Sequence, residues 1–442
     1  MFIGEHDALE LISTLNQAGY LAYFVGGCVR DALLHRSYRD IDIATSAPPD
    51  RVKDLFASYR LLLSGERFGT VGVIVHGRTY EVTTFRSEGI YVDHRHPEDV
   101  SFVESLFSDL SRRDFTINAL AYHPDEGLID SFNGLADLKE KRIVAIGDPQ
   151  IRFREDALRI LRGIRFACRF DFHIEKKTEA AMFECCDLLT FISKERVYRE
   201  LQEIITSDSI RRWLERYHVI LTKRLPGLSG MVGFAQNNPF HRFDLWTHTL
   251  QVVEGVRADE ALRFAALYHD CGKVLTRHVD EQGIAHYPGH SLQSADMARK
   301  DLEGLGMVKA RLQEVLRLIR YHDVPIDPTR ADVGRWLVTL GYLSLWKLLE
   351  LKRSDNLAKS SLAKPAVARI DGCKAVLEEM ERAGVIERRD QLAMNGDDVK
   401  AMGYSDDQIG AVLQRCLLAV VCEGTDNTYE SLRRYLERGS SA

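Results

Sequence analysis

The chain has 442 residues, 45% hydrophobic and 28% charged, a globular make-up too long for one core and expected to form roughly two to four domains. No apolar run approaches the roughly 18 residues that span a bilayer, and MFIGEHDALELISTLNQAGY at the start has neither the basic region nor the apolar block of a signal peptide. The eight Cys are scattered without a CxxC pair and the net charge is −6, which points to reduced thiols in the cytoplasm, argues against a disulfide framework or zinc–thiolate site, and argues mildly against nucleic acid as a partner.

The first twenty residues predict an amphipathic helix, and the apolar run Leu21–Val25 ends at Gly26-Gly27. VRDALLH then reads as a helix and IDIA as a strand alternating Asp with aliphatics. The two Pro of APPDRVKDLF mark another helix start. β-branched runs on both sides of His76-Gly77-Arg78 predict a hairpin. Up to about Leu138 the chain is therefore mixed α/β with a small sheet. From Ile151 onward strand signals almost vanish, and REDALRILRGIRFACRF and SKERVYRELQEII predict helices. The segment LPGLSGMVGFAQNNPFHRF, rich in Gly, Pro and Asn, marks the next boundary. A second helical block follows from Leu245 to about Ala358, then a helical tail. Between Lys139 and Arg169, nine Lys/Arg face four Asp/Glu, so a chain that is acidic overall carries a local patch able to contact phosphates.

Asp40 and Asp42 stand at i and i+2, which on a strand places both carboxylates on one face. Two carboxylates that close repel unless a cation lies between them, and Mg²⁺ held by one or two carboxylates plus substrate phosphates suits the spacing. Gly26-Gly27 before a helix offers free backbone N–H groups to a triphosphate, and Arg30 adds a charge. Glu81, in YEVTTF, is a candidate third carboxylate from a neighbouring strand. Taken alone, the same residues also suit a solvated edge strand after a glycine turn.

A second constellation lies in DLSRRDFTINALAY, with Arg112, Arg113, Asp114 and Asn118, and in RFREDALRILRGIRF, with Glu155, Asp156, Arg159 and Arg162. On one continuous helix Asp156 and Arg159 would share a face. In this order GGCVRD, RDIDIA, TTFRSEGIYVDHRHPEDVSF, DLSRRDFTINALA, IDSFNGLADLKEKRIVAIGDP, RFREDALRILRGIRF and ERVYREL resemble the linked motifs of bacterial tRNA nucleotidyltransferases of the poly(A) polymerase type, the class II CCA-adding enzymes. The resemblance covers roughly residues 20 to 230. It implies an α+β fold with a polymerase-β-like head and a small mixed sheet, followed by all-α regions. It also implies that Asp40 and Asp42 bind Mg²⁺ and activate a tRNA 3′ hydroxyl, that Gly26, Gly27 and Arg30 hold the triphosphate, that Arg112, Arg113, Asp114 and Asn118 contact ribose and phosphate, and that Asp156 and Arg159 select the base. The partners it implies are tRNA, CTP and ATP. Arg162 is grouped with the nucleotide-binding set.

Base selection follows from chemistry. Cytosine and adenine each present an amino donor beside a ring-nitrogen acceptor on the Watson–Crick edge, whereas guanine and uracil present the reverse. A fixed Asp acceptor beside a fixed Arg donor matches the first pair, and unpaired polar groups reject the second by factors of roughly 10⁴. In the family, CC-adding enzymes lack a flexible loop. Here FRSEGIYVDHRHPEDV retains Arg86, Tyr91 and Arg95, which leaves full CCA addition, A addition and polyadenylation open.

The second helical block carries WTHTLQVV, AALYHDCGKV, YPGHSLQSA, RYHDVP and LKRSDNLAK. The order resembles the HD phosphohydrolase superfamily, whose metal ligands would fall on His248, His269, Asp270, His290, His322 and Asp355, with Asp323 a competitor for the last. Imidazoles and carboxylates suit Mn²⁺, Fe, Ni²⁺ or Zn²⁺. The expected organisation is a catalytic head at 1–140, a helical neck and body at 141–225, an HD domain at 240–360 and a helical tail at 361–442. The sequence leaves the oligomeric state open.

Overall fold

The computed structural model describes residues 6–38, 40–88 and 100–439. Tyr91 and Arg95 therefore lie outside the described residues. Packing divides the chain into two compact units: Met1–Ser209 with Val219–Arg224, and Ile210–His218 with Leu225–Ala442.

The first unit begins with α1 (His6–Gln17), β1 (Ala22–Val25), α2 (Gly27–Leu33), β2 (Asp42–Thr45), α3 (Pro49–Leu55), β3 (Arg60–Leu62), β4 (Thr70–Val75) and β5 (Arg78–Thr84). A small hairpin follows, β6 (Arg86–Glu88) and β7 (Val100–Phe102), then α4 (Leu106–Ser111), β8 (Leu120–His123), β9 (Gly127–Asp130) and α5 (Gly134–Lys139). Seven strands form one mixed sheet in the order β3-β4-β5-β2-β1-β8-β9. Within this sheet only β2 and β5 pair in parallel, and that pairing sets Asp42 beside Glu81. The β4–β5 hairpin turns through His76 and Gly77, with φ of 48° and 82°. Two consecutive positive φ angles match the twist of the flanking strands in a two-residue turn, which is why Gly is placed there. Along β5 the buried Tyr80, Val82 and Thr84 alternate with Glu81 and Thr83, which face a cavity. Tyr23, Val25, Ala44, Phe85, Leu110, Ala119, Ala121 and Ile146 form one core, with Tyr23, Val25 and Ala44 on the sheet face that carries Asp42 and Glu81.

Helical structure then takes over: β10 (Arg142–Ile143), α6 (Pro149–Glu155), α7 (Leu158–Phe170), β11 (His173–Ile174), α8 (Lys176–Cys185) and α9 (Lys194–Ile205). The two short strands pair in parallel and were not legible in the helix-dominated pattern. The expected single helix through REDALRILRGIRF is in fact two. Asp156 takes extended angles, φ −141° and ψ 100°, between α6 and α7, and its Oδ1 accepts the Leu158 N–H at 3.1 Å. Asp satisfies orphan N–H groups at a helix start better than it serves a helix interior, so the break falls on the acidic residue while the apolar period reads straight through it.

Helix α10 (Ile210–Leu221) is kinked at Tyr217. The second unit holds α11 (Leu245–Glu254), α12 (Glu260–Tyr268), α13 (Lys273–Thr276), α14 (His290–Gly304), α15 (Lys309–Tyr321), α16 (Arg330–Leu340), α17 (Tyr342–Ala358) and α18 (Lys364–Arg382). One unexpected two-residue hairpin, β12 (His278–Val279) with β13 (Ala285–His286), interrupts the helices. The last helices, α19 (Gly396–Ala401), α20 (Asp406–Leu418) and α21 (Tyr429–Gly439), share a core of Met394, Val399, Val412, Cys416, Val420, Leu432 and Leu436.

Candidate functional site

A cavity of about 720 Å³ in the first unit gathers the motifs of the N-terminal half. Gly26, Gly27, Arg30, Asp40, Asp42, Glu81, Arg112, Arg113, Asp114, Asn118, Asp156, Arg159 and Arg162 all line it. Strand β2 opens at Asp42, so Asp40 sits on the approach to the strand and is exposed. The reason lies next door: the last rung pairs Val25 with Asp42, and at Gly26 the neighbouring chain turns away at φ 73° into α2. Burial, with Glu81 and Asp40 adding their repulsion, pushes the Asp42 carboxyl up to about 6 against the pull of Arg113 and Arg30. That crowding of negative charge suits a divalent cation. The three carboxylates share the cavity wall without closing to the tight spacing seen in the second unit.

The arginines opposite are braced by acids that the sequence reading did not single out. Asp109, buried on α4, accepts from Arg112 Nε and Nη2 at 3.0 and 2.7 Å and from Arg113 Nη2 at 3.2 Å. Its signal was the i, i+3, i+4 spacing inside DLSRRD. Burial raises the Asp114 carboxyl, but Arg162 and the Asn118 amide outweigh it and hold Asp114 at about 2. A polar chain runs on from there. Arg162 donates to Asp114 at 2.7 Å and Asn118 to Asp114 at 2.9 Å, Arg30 donates to Asn118, and Asp31 accepts from Arg30 at 2.8 Å and Arg169 at 3.0 Å. Arg30 is thus buried and committed to Asn118 and Asp31, with Phe166 and Phe170 beneath it.

Asp156 and Arg159 do not pair with each other. Arg196 of α9 grips Asp156 at 3.3 and 2.6 Å. Arg159 is held by Glu155 at 2.8 Å and by the Arg112 carbonyl at 2.9 Å. Two side chains fixed independently, one an acceptor and one a donor, are what a base-reading edge needs.

The second unit holds a cavity of about 620 Å³. At its floor His248, His269, Asp270 and Asp355 bring ligand atoms within 4.8 Å of one another, and Asp270, His290 and His322 form a second such group. Asp355 is buried in the cluster, whereas the Asp323 side chain is 47% exposed and approaches only His290, at 3.7 Å. Asp270 spans both groups: Oδ2 lies 3.3 Å from His269 and 3.6 Å from His248, and Oδ1 lies 3.2 Å from His290 and 3.5 Å from His322. Glycines allow this convergence. A Cβ on Gly272 would stand 2.4 Å from the His290 carbonyl, and one on Gly255 would stand 2.2 Å from Ser354 Oγ. Their absence lets α14 approach Asp270 and α11 approach α17.

The rings of His269, His290 and His322 each turn Nδ1 to a carbonyl three residues back, at 2.8, 2.9 and 2.7 Å. That aims each Nε2 at the carboxylates, the arrangement of metal-ligating imidazoles. His269 Nε2 is buried without a hydrogen-bond partner, and a divalent ion would satisfy it. Burial lowers His248 and His322, leaving neutral rings. Against burial, Asp270 and Asp355 lift His269 to about 9. Lys273 Nζ donates to Asp270 Oδ2 at 2.6 Å and Lys359 Nζ to Asp355 Oδ2 at 2.5 Å. Overriding burial, the two lysines and the histidines hold both carboxylates well below the usual range. His241, within the segment read as a boundary loop, also lines this cavity.

Residues 22–144 match the poly A polymerase head domain, 171–218 the probable RNA and SrmB-binding site of polymerase A, and 245–376 the HD domain. These three matches, in this order, make the chain similar to the tRNA nucleotidyltransferases and poly(A) polymerases. A relative, the CCA-adding enzyme of Levilactobacillus brevis, is 46% identical over 57% of this chain and 61% of its own length. The chain therefore matches less than two thirds of that relative. The structure of the Bacillus stearothermophilus CCA-adding enzyme in complex with CTP is 29% identical, covers 98% of each chain and superposes with a TM-score of 0.73. The Thermotoga maritima CCA-adding enzyme complexed with tRNA, 20% identical over 98% of this chain and 96% of that one, shares the fold with a TM-score of 0.60. The mixed sheet and the helical remainder expected from the sequence are both present. No helix among the described residues is long and apolar enough to cross a membrane.

Proposed function

We propose that this chain adds CCA to the 3′ end of tRNA from CTP and ATP without a nucleic-acid template, releasing pyrophosphate, as an enzyme of the cytoplasm. The observation that carries this reading is the single cavity lined by Asp40, Asp42 and Glu81 together with the arginines and the independently held Asp156 and Arg159. Mg²⁺, when bound, lowers the barrier to in-line attack on the α-phosphate. Asp40 and Asp42 hold it and orient the tRNA 3′ hydroxyl, with Glu81 beside them. Gly26 and Gly27 receive the triphosphate, Arg112 and Arg113 contact phosphate and ribose, and Asp114 and Asn118 fix the sugar. Arg30 serves by holding Asn118. Asp156 accepts from the amino group of C or A, and Arg159 donates to the ring nitrogen. Residues 1–140 are the head, 141–225 the neck and body whose basic residues carry the RNA, 240–360 the HD domain and 361–442 the tail.

The test is tRNA ending at the discriminator base, given CTP and ATP singly and together, with products sized. CCA made only with both nucleotides supports the reading. Growth confined to tRNA already ending in CC would assign A addition, and a long A tail a poly(A) polymerase. The histidine–aspartate cluster favours a second activity, a metal-dependent phosphohydrolase on tRNA ends or nucleotides, through His248, His269, Asp270, His290, His322 and Asp355. Phosphate release that survives Asp40→Ala but not Asp270→Ala supports it.

A further inference from the structure

The two buried carboxylates of the histidine–aspartate cluster, Asp270 and Asp355, are each paired with a lysine before any ion enters, and both lysines approach more closely than any histidine. Lys273 Nζ stands 2.6 Å from Asp270 Oδ2, while the histidines stand at 3.2 Å or more from that carboxylate. Lys359 Nζ stands 2.5 Å from Asp355 Oδ2, against 3.1 Å for His248 on Oδ1. The two lysines do not act alike. Lys359 takes the oxygen of Asp355 that faces away from the histidines, whereas Lys273 takes Oδ2 of Asp270, the oxygen facing His248 and His269. Lys352, buried nearby on α17, donates to the carbonyls of His322 and Val324 and adds a further positive charge to the cavity wall.

Divalent ions brought to buried carboxylates already matched by lysines leave a positive excess at the cluster. Such an excess is costly unless an anion joins it. The cavity of about 620 Å³ above the cluster, rimmed by Lys359, Arg369 and Asn238, has room for a phosphate-sized anion. We propose that Lys273 and Lys359 hold the cluster's affinity for divalent ions low until a phosphate-type anion binds, so that metal and anion load together. The inference rests on reading the cluster as a metal site. In consequence free divalent ions would not fill the pocket permanently, and loading would follow the supply of phosphate ester or its product.

The experiment measures Mn²⁺ binding to the full chain by equilibrium dialysis, in an Asp42→Asn background that silences the head, with and without inorganic phosphate. The expected result is Mn²⁺ binding tightened at least ~10-fold by saturating phosphate, with phosphate binding tightened by the same factor in return. Lys359→Met should bind Mn²⁺ more tightly without phosphate and show a smaller phosphate effect, while Lys359→Arg, which keeps the charge, should behave as the parent. Lys359→Arg also guards against a folding defect in the Met variant, since both are checked by thermal melting. Mn²⁺ affinity unchanged by phosphate overturns the coupling and leaves the metal site intact. No Mn²⁺ lost on Asp270→Asn overturns the metal site itself, and the coupling with it.

Discussion

Replacing Gly26 by Ala tests the tightest point of the nucleotide cavity. Gly26 sits at φ 73° and ψ −126°, a region where a residue with a Cβ costs about 1–3 kcal/mol. The added Cβ would also stand 2.7 Å from Arg113 Nη1, so the guanidinium must leave its place and with it the 3.2 Å contact to Asp109. Taking ~2 kcal/mol of strain and ~2–4 °C per kcal/mol for a unit of this size, the first unit should melt ~4–8 °C lower. Loss of one charge-assisted phosphate contact, about 1.5–3 kcal/mol, should raise the KM for CTP by roughly 10- to 100-fold. Gly77→Ala is the control. Gly77 has a similar φ of 82° but nothing within 4 Å of its would-be Cβ, so it should lower the melting temperature and leave KM untouched. Scanning fluorimetry and initial-rate kinetics on tRNA lacking CCA read both quantities. If Gly77→Ala raises KM as much as Gly26→Ala does, the close approach to Arg113 is not what the glycine serves, and the reasoning fails.

Arg196→Met frees the Asp156 carboxylate from its clamp, and the ratio of kcat/KM for CTP over UTP should fall by about 10-fold, a loss of one charged hydrogen bond. An unchanged ratio would mean that Asp156 is positioned by something else. The Asp42 carboxyl, raised to about 6 above its ordinary ~3.9, must shed a proton before it binds a cation. Magnesium needed for half-maximal rate should therefore rise as pH falls through 6. In the metal-free protein the same raised pKa adds stability that is complete below pH ~4 and is lost as pH rises through 6. Asp42→Asn should flatten that dependence in melts taken across the range. In the second unit, Gly255→Ala drives a Cβ to 2.2 Å from Ser354 Oγ, and such overpacking costs about 1–3 kcal/mol. It should loosen α11 from α17 and weaken Mn²⁺ binding, and Ser354→Ala in the same chain should restore part of both.

What the sequence revealed and what it hid divide along a physical line. The turn at His76-Gly77, the helix after Gly26-Gly27 and the strand around Glu81 follow from local chemistry, and all three stand where the pattern put them. The neighbouring places of Asp42 and Glu81 followed from strand assignment alone. The break at Asp156 did not, because the apolar spacing of RFREDALRILRGIRF continues unbroken through it and only the Asp side chain, capping Leu158, announces the stop. Nor were the braces legible. Arg196 lies 40 residues from Asp156, and a salt-bridge partner at that distance is chosen by tertiary packing. For the same reason Asp355 was named from family order alone, with Asp323 left as a competitor. Adjacency to His322 favours Asp323 in one dimension, while α17 laid against α11 delivers Asp355 to His248 in three.

Asp270 lends one oxygen to each pair of histidines, and this makes the two halves of the cluster unequal before mutation. A change at His290 or His322 removes ligands from the three-membered group and leaves the four-membered group whole. A change at Asp270 dismantles both at once. On the proposed reading as a metal centre, one group can therefore be lost through His290 or His322 and the other through His248, His269 or Asp355, and an engineer wanting a single-ion version must begin with one of these. Asp270 itself admits no intermediate form: it is either the hinge of a complete centre or the end of one.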